Sequence, residues 1–241
     1  THSSPNVAQV PASYSPYGKE CRECWIVPKG YKLVGCDASG LELRMLAHYM
    51  NDEEYINQII DGDIHSYNQE MAGLPSRDQA KTMIYALCYG AGDVKMGTII
   101  NGSAAEGKQL KATLFNNIPS LADLITKIKK ASNRGYLKGL DGRKIWVRSE
   151  HSAPNFLLQS AGAIVMKKAL VLLYNSAREE KLDFTFVGNI HDEYQTQVLE
   201  AHSERFGVLA VEAIVNAGIE LNMNCPLDGE SKIGNNWYEC H

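Results

Sequence analysis

The 241-residue sequence has no uninterrupted apolar run near the roughly 18 residues that a membrane-spanning helix needs. Its N-terminus lacks the basic and then apolar segment of a secretory signal, and no repeat or low-complexity block occurs. Hydrophobic residues make up 44% of the chain, which is ordinary for a folded domain. We therefore expect a water-soluble protein with a sizeable core and no membrane partner.

Cysteine is too sparse and too scattered for a secreted disulfide framework, with six residues in 241. A reducing, cytoplasmic setting is therefore expected. Cys21 and Cys24 have the spacing of half a zinc site, but the other half could come only from Cys225, Cys240 and His241. Ordinary thiols are the favoured interpretation.

An excess of charge of either sign is missing as well, because 24 basic residues stand against 28 acidic ones. The balance does not exclude a nucleic-acid partner, since one face can be basic while the rest is acidic. Residues 127–148 are locally basic with one acid, Asp141, which suits either a phosphate-backbone track or a solvated helix and loop. The basic residues there are Lys127, Lys129, Lys130, Arg134, Lys138, Arg143, Lys144 and Arg148.

Apolar patterning predicts a mixed α+β chain with a helical insertion. Residues 32–37 alternate as a strand, and residues 52–130 are helical almost throughout. Two further helices are predicted over 155–178 and 203–219, with a β-hairpin at 184–199 between them.

Two aspartates are placed where a sheet could expose them on a rigid support. Asp37 stands at the end of the predicted strand and Asp192 at the tip of the hairpin. Brought together, they could hold two divalent cations for phosphoryl transfer. Each alone is more simply a charge at a helix N-terminus or a turn residue.

One predicted helix carries a polar stripe. Arg77, Lys81 and Tyr85 recur every four residues, so they share one face while the apolar positions lie largely away from it. Two cations and a phenol in this order suit a triphosphate and a stacked base, and His65 could add a phosphate donor. A solvated helix face is the alternative.

Three motifs resemble those of family A DNA polymerases, and they occur in the family's order. The surrounding residues are similar to the replicative members encoded by T-seven-like short-tailed phages. The matching segments are Asp37-Ala-Ser-Gly-Leu-Glu42-Leu-Arg44, Arg77-x3-Lys81-x3-Tyr85-x3-Tyr89-Gly90 and His191-Asp192-Glu193.

The resemblance implies a right-hand polymerase fold. The palm, an antiparallel sheet with packed helices, would comprise residues 1–49 and 155–241, and residues 50–154 would form helical fingers. The family's thumb and exonuclease domain would be absent from these 241 residues. The chain would then be a fragment, a deliberately cut piece or one part of a split polymerase, with those domains supplied in cis or by a separate chain.

The implied activity is that of a DNA-directed DNA polymerase, a nucleotidyltransferase of DNA replication, acting on primer-template DNA and dNTPs. Asp37, Asp192 and the backbone carbonyl of Ala38 would bind two Mg²⁺ ions. One ion would activate the primer 3′-hydroxyl, and the other would stabilise the leaving pyrophosphate. Asp37, Asp192 and Lys81 would be the catalytic residues. A phage-encoded enzyme of this kind would act in the host cytoplasm.

The resemblance also implies the substrate contacts. His65, Arg77 and Lys81 would hold the triphosphate, Tyr85 would pack against the sugar, and Glu42 would exclude a 2′-hydroxyl.

The implied DNA contacts are Tyr89 at the template position, and Arg143, Asn155, Gln159 and His191 on template or primer, chiefly in the minor groove. Glu193 would support the metal site or be an ordinary strand residue. Two alternatives remain: a single-subunit RNA polymerase, and a catalytically inactive module that only binds primer-template.

Overall fold

The computed structural model describes residues 9–240, so His241, a candidate zinc ligand, lies outside the described residues. The expected α+β composition is confirmed. The helices are α1 (Gly18–Glu23), α2 (Leu41–Met50), α3 (Glu53–Ile60), α4 (Ile64–Ala72), α5 (Arg77–Cys88), α6 (Asp93–Ile99), α7 (Ala104–Asn117), α8 (Pro119–Ser132), α9 (Ala153–Glu179) and α10 (Ser203–Glu220). The strands are β1 (Tyr31–Ala38), β2 (Tyr136–Lys138), β3 (Lys144–Trp146), β4 (Phe184–Ile190), β5 (Glu193–Leu199) and β6 (Gly229–Gly234).

Two compact units divide the chain. We call the first the sheet unit; it holds the described residues up to Leu41, Val165–Asn222 and those from Leu227 onward. The second, the helical unit, comprises Glu42–Ile164 and Met223–Pro226. The predicted domain limits at 49/50 and 154/155 concern functional parts of a polymerase and stay predictions.

The sheet unit is built on four antiparallel strands in the order β4-β5-β1-β6. Its central strand β1 buries Leu33 through Cys36, as expected for a strand covered on both faces. On one face, Phe206 of α10 packs against Phe184 with ring centroids 5.2 Å apart. On the other face, a Cβ at Gly35 would overlap the carbonyl oxygen of Cys240, so the C-terminal turn lies directly on the sheet.

The helical unit owes its helix starts to capping residues. Asp52, Asp63 and Ser76 each accept a hydrogen bond from a backbone N–H in the first turn of α3, α4 and α5. Ser103 and Glu106 form a capping box at α7. Large side chains that are almost fully buried make the core of this unit: Tyr55, Met83, Ile84, Met96, Leu114 and Leu121.

The segment Glu150–Glu179, which contains α9, is long and apolar enough to cross a membrane by length and composition alone. Lys167 and Lys168 interrupt its apolar run, so the search for an uninterrupted apolar run does not find it. Half of its apolar window is buried inside the protein, as in the core helix of a globular domain, so it is weak evidence for a membrane span.

Candidate functional site

An acidic row crosses one end of the four-stranded sheet. Asp37 on β1 is paired with Glu193 on β5 and with Glu230 on β6. Residues directly opposite one another on antiparallel strands point to the same face, so these three carboxylates are neighbours. Asp192 lies beside them, because the Ala38 N–H donates to its backbone carbonyl at 3.0 Å. The structure therefore brings the three predicted metal ligands to one place.

The pKa of Asp37 is shifted by its position in the acidic row, although its side chain is exposed to solvent. Burial, followed by repulsion from Asp192, Glu193 and Glu230, raises the pKa of Asp37 to about 7, although Lys232 opposes the shift. Negative charge held this closely is unfavourable without a counter-charge. The electrostatics of the row therefore favour a bound cation.

The turn that carries Asp192 is tight. His191 and Asp192 alone join β4 to β5, and His191 takes a left-handed backbone conformation with φ of 56°. That conformation is uncommon for a residue other than glycine, and strained positions of this kind cluster at functional sites. His191 is exposed beside the acidic row, which is compatible with its predicted contact to nucleic acid.

Glu193 differs from the other members of the row because it is only 5% exposed. Its carboxylate accepts a hydrogen bond from Trp237 Nε1 at 2.7 Å and another from Gln195 Nε2. The Arg22 guanidinium lies 4.5 Å from the Trp237 ring. Glu193 is thus tied into the protein and links the row to the C-terminal turn.

Within residues 9–240, no group of three or more His, Cys, Asp and Glu side chains is arranged to hold a metal ion. The candidate magnesium ligands are accordingly two aspartates and a backbone carbonyl. For zinc, the described cysteines are all free thiols, and Cys24 Sγ donates to the Glu20 carbonyl.

The polar stripe on α5 lies as predicted within the helical unit. Arg77 and Lys81 are exposed and Tyr85 is half-buried. The opposite side of the helix buries Ala80, Met83, Ile84 and Leu87. The stripe is thus held on a firmly packed helix.

His65 joins the stripe from α4, with its ring 6.1 Å from that of Tyr85. Burial and the positive charges of Arg77 and Lys81 lower the pKa of His65, although Asp63 opposes the shift. A neutral imidazole can both donate and accept a hydrogen bond. The four predicted triphosphate and sugar contacts therefore form one cluster.

Asp63 is the residue that the sequence reasoning missed. Its carboxylate accepts from Arg77 Nε at 2.7 Å and Nη2 at 3.0 Å, while it also accepts from the His65 N–H and the Ser66 hydroxyl. The Arg77 hydrogen bond in particular holds the pKa of Asp63 well below its usual range. The signal in the sequence was its place as the capping residue two positions before His65.

Glu42, Tyr89 and Gln159 also meet. The Glu42 carboxylate accepts hydrogen bonds from the Tyr89 hydroxyl and from Gln159 Nε2. Two donors on one carboxylate fix its direction. The structure therefore joins the predicted sugar-selecting residue to two predicted DNA contacts.

The other two predicted DNA contacts of the helical unit, Arg143 and Asn155, form no hydrogen bond with Glu42 among residues 9–240. Arg143 lies in the β2–β3 turn, where its Nε and Nη2 donate to Asp141 at 2.8 and 2.6 Å. Asn155 lies in the first turn of α9, and its buried Oδ1 has no hydrogen-bond partner among residues 9–240. An unsatisfied acceptor of this kind is rare and is suited to a ligand.

The fold is that of a nucleic-acid polymerase domain. It matches the POL domain of Pol1 from M. smegmatis, solved in complex with DNA primer-template and dNTP, with a TM-score of 0.89 over 98% of this chain and 45% of that one. The identity between them is 23%, so this match defines the architecture. The expected palm-type sheet with a helical insertion is confirmed.

The chain belongs to DNA polymerase family A, whose family model matches residues 1–239. It is 41% identical to the DNA-directed DNA polymerase of Enterobacteria phage T3 and 39% identical to that of Escherichia phage T7. Each match covers all of this chain and 39% of the phage polymerase, so the chain spans about two fifths of these relatives. Family A polymerases use divalent metal ions.

Proposed function

We propose that this chain catalyses template-directed DNA synthesis, transferring deoxynucleotides from dNTPs to the 3′-hydroxyl of a primer during DNA replication. The observation that carries the proposal is the meeting of Asp37, Ala38 and Asp192 at one end of the sheet. Membership of family A and the polymerase names of the phage relatives support it.

Asp37, Asp192 and the Ala38 carbonyl would hold two Mg²⁺ ions. The donor set fits, because all three ligands are oxygens. Burial and repulsion from neighbouring carboxylates raise the Asp37 pKa, and the repulsive part would be relieved by positive charge. When bound, Mg²⁺ would supply activation of the primer hydroxyl and stabilisation of the leaving pyrophosphate. Glu193, fixed by Trp237, would keep the ligands in place and add negative charge behind them.

The dNTP would be held by the cluster on α4 and α5. Arg77 and Lys81 would bind the triphosphate, with Lys81 next to the reacting phosphates and His65 as a further donor. Asp63 occupies one edge of the Arg77 guanidinium, so the other edge is left to face a phosphate oxygen. Tyr85 would pack on the sugar.

Selection of the sugar would fall to Glu42. A carboxylate held by Tyr89 and Gln159 cannot swing away from an incoming 2′-hydroxyl, which would be excluded sterically and by desolvation. Tyr89 would also lie at the template position and guard it.

Arg143, Asn155, Gln159 and His191 would contact template or primer. The minor groove presents acceptors shared by all correct pairs, so such contacts report pairing without reading sequence. Arg143 would have to exchange its Asp141 partner for DNA.

The partners would be primer-template DNA and dNTPs, with a thumb and an exonuclease domain supplied in cis or by a separate chain. The enzyme would be phage-encoded and act in the host cytoplasm, as the similarity to phage polymerases suggests.

The test is primer extension with Mg²⁺ and the four dNTPs. Asp37→Ala and Asp192→Ala should each remove nearly all extension and leave DNA binding largely intact, because binding rests on phosphate contacts elsewhere. Asp123→Ala, which removes an exposed aspartate paired with Lys127, is the matched control and should extend normally. Near wild-type extension by either active-site variant would refute the metal assignment, and no extension by the wild-type chain would favour a binding module.

A further inference from the structure

The small hairpin β2–β3 presents two aromatic rings on its outward face. Tyr136 is paired with Trp146, so both side chains lie on the same face, while Leu137 on the opposite face is buried. Trp146 is 70% exposed, which is unusual for the largest apolar side chain. The hairpin thus has one buried face, yet it exposes a large aromatic surface on the other.

The geometry of the rings leaves flat surface available. Their centroids are 5.8 Å apart and their planes are inclined at 63°, so the two rings do not stack on each other. The Arg134 guanidinium lies 5.2 Å and the Lys144 ammonium 4.9 Å from the centre of the Tyr136 ring. The cations therefore hold Tyr136, while much of Trp146 remains free to stack on a further planar group.

The residues two positions before and after each ring in the sequence are all basic: Arg134, Lys138, Lys144 and Arg148. Lys138 stands directly opposite Lys144 on the paired strands, an arrangement that destabilises a hairpin unless an anion lies near. Neither lysine, nor Arg148 just beyond β3, forms an ion pair within residues 9–240. By contrast, Arg143 in the same hairpin is paired with Asp141. The face is thus positioned for negative charge beside an aromatic surface.

We propose that the outward face of the β2–β3 hairpin is a stacking platform for single-stranded DNA. A base would lie on Trp146, and the neighbouring phosphates would be held by Lys138, Lys144 and Arg148. The occupant is single-stranded rather than duplex, because only an unpaired, unstacked base offers its flat face to a side chain. Identifying the strand as the unpaired template rests on the proposed polymerase function.

The experiment measures binding of the full 241-residue chain to a fluorescein-labelled oligo(dT) by anisotropy, at several salt concentrations. Trp146→Ala should weaken binding about 5- to 150-fold, the range expected for loss of one base–aromatic stack. Trp146→Phe should recover most of that loss, since a phenyl ring also stacks. Trp25→Phe changes a tryptophan of the other unit and should bind like wild type.

The salt dependence separates stacking from phosphate contact. Arg148→Ala should lower the slope of log affinity against log salt by about 0.7, the value for one phosphate contact on a single strand. Trp146→Ala should leave that slope unchanged. Circular dichroism of each variant would show that the fold is retained.

Three results would overturn the proposal. Trp146→Ala could bind oligo(dT) as tightly as wild type, or it could lose as much affinity for blunt duplex DNA as for oligo(dT). The wild-type chain could also bind anionic vesicles and fail to bind oligo(dT). None of these measurements needs polymerase activity, so a failure of primer extension would leave the platform standing, and a failure here would leave the proposed enzyme standing.

Discussion

Removing the Glu193 carboxylate should lower the free energy of unfolding, although Glu193 is one of several acidic residues that repel one another. In Glu193→Ala, the indole N–H of Trp237, which is 3% exposed, loses its acceptor, and Gln195 loses a partner as well. A buried donor left unsatisfied costs about 1–3 kcal/mol. The lost partner of Gln195 adds to this cost and relief of repulsion on Asp37 offsets part of it, so we expect a net loss of about 1–3 kcal/mol, or a melting temperature roughly 2–12 °C lower.

Glu193→Gln is the matched control, because the amide oxygen can still accept from Trp237 while the charge is gone. Its melting temperature in EDTA, measured by circular dichroism, should lie within about 2 °C of wild type. Equal destabilisation by both variants would show that charge rather than hydrogen bonding matters. No change in Glu193→Ala would show that the bond to Trp237 contributes nothing.

Three further predictions concern the proposed site. Because the Asp37 pKa is raised to about 7, the protonated form that stabilises the fold is lost as pH rises from about 4 through 7. In EDTA, the melting temperature of wild type should therefore fall relative to that of Asp37→Asn over this pH range. Parallel curves of melting temperature against pH would contradict the shift. Glu42→Ala should incorporate ribonucleotides. Tyr85→Phe should use dideoxynucleotides less, because the phenol no longer replaces the missing 3′-hydroxyl. Unchanged incorporation ratios in both variants would show that the pocket is assigned to the wrong residues. The isolated chain should make short products in a single-encounter assay with a DNA trap, shorter still at moderate salt, and should show no 3′-to-5′ exonuclease activity; long products would reveal an unidentified grip on DNA.

The parts of the fold that follow from local periodicity were predictable from sequence. The four-residue recurrence of Arg77, Lys81 and Tyr85 predicted both the exposed stripe and the buried side of α5. The strand that carries Asp37 and the hairpin that carries Asp192 were predictable as well, because strand-forming residues bounded by turn signals are a short-range pattern, although residues 32–37 alternate only weakly. Their shared position on one sheet came from the family resemblance, since pairing between distant strands leaves no local signal.

Contacts over long sequence separations could not be read from the sequence. Glu193 and Trp237 are 44 residues apart, and no local sequence pattern in either segment predicts their hydrogen bond. Asp63 was missed for the same reason, because its hydrogen bonds to Arg77 join residues 14 positions apart on two helices. Hairpin β2–β3 was not predicted, and its residues were interpreted only as a basic segment. Each strand has three residues, which is too short for alternation to be recognised.

The acidic row shows how fold and proposed chemistry constrain each other. Asp37 lies between Glu193 and Glu230, and its pKa is raised first by burial and then by repulsion from neighbouring carboxylates, these two among them. Glu193 is hydrogen-bonded to the C-terminal turn, and Glu230 lies 3.7 Å from the Lys232 ammonium in an exposed ion pair, so part of the negative charge is compensated. Among residues 9–240, Asp37 forms no ion pair of its own, although Lys232 lies near enough to lower its pKa, so a bound cation would relieve it directly.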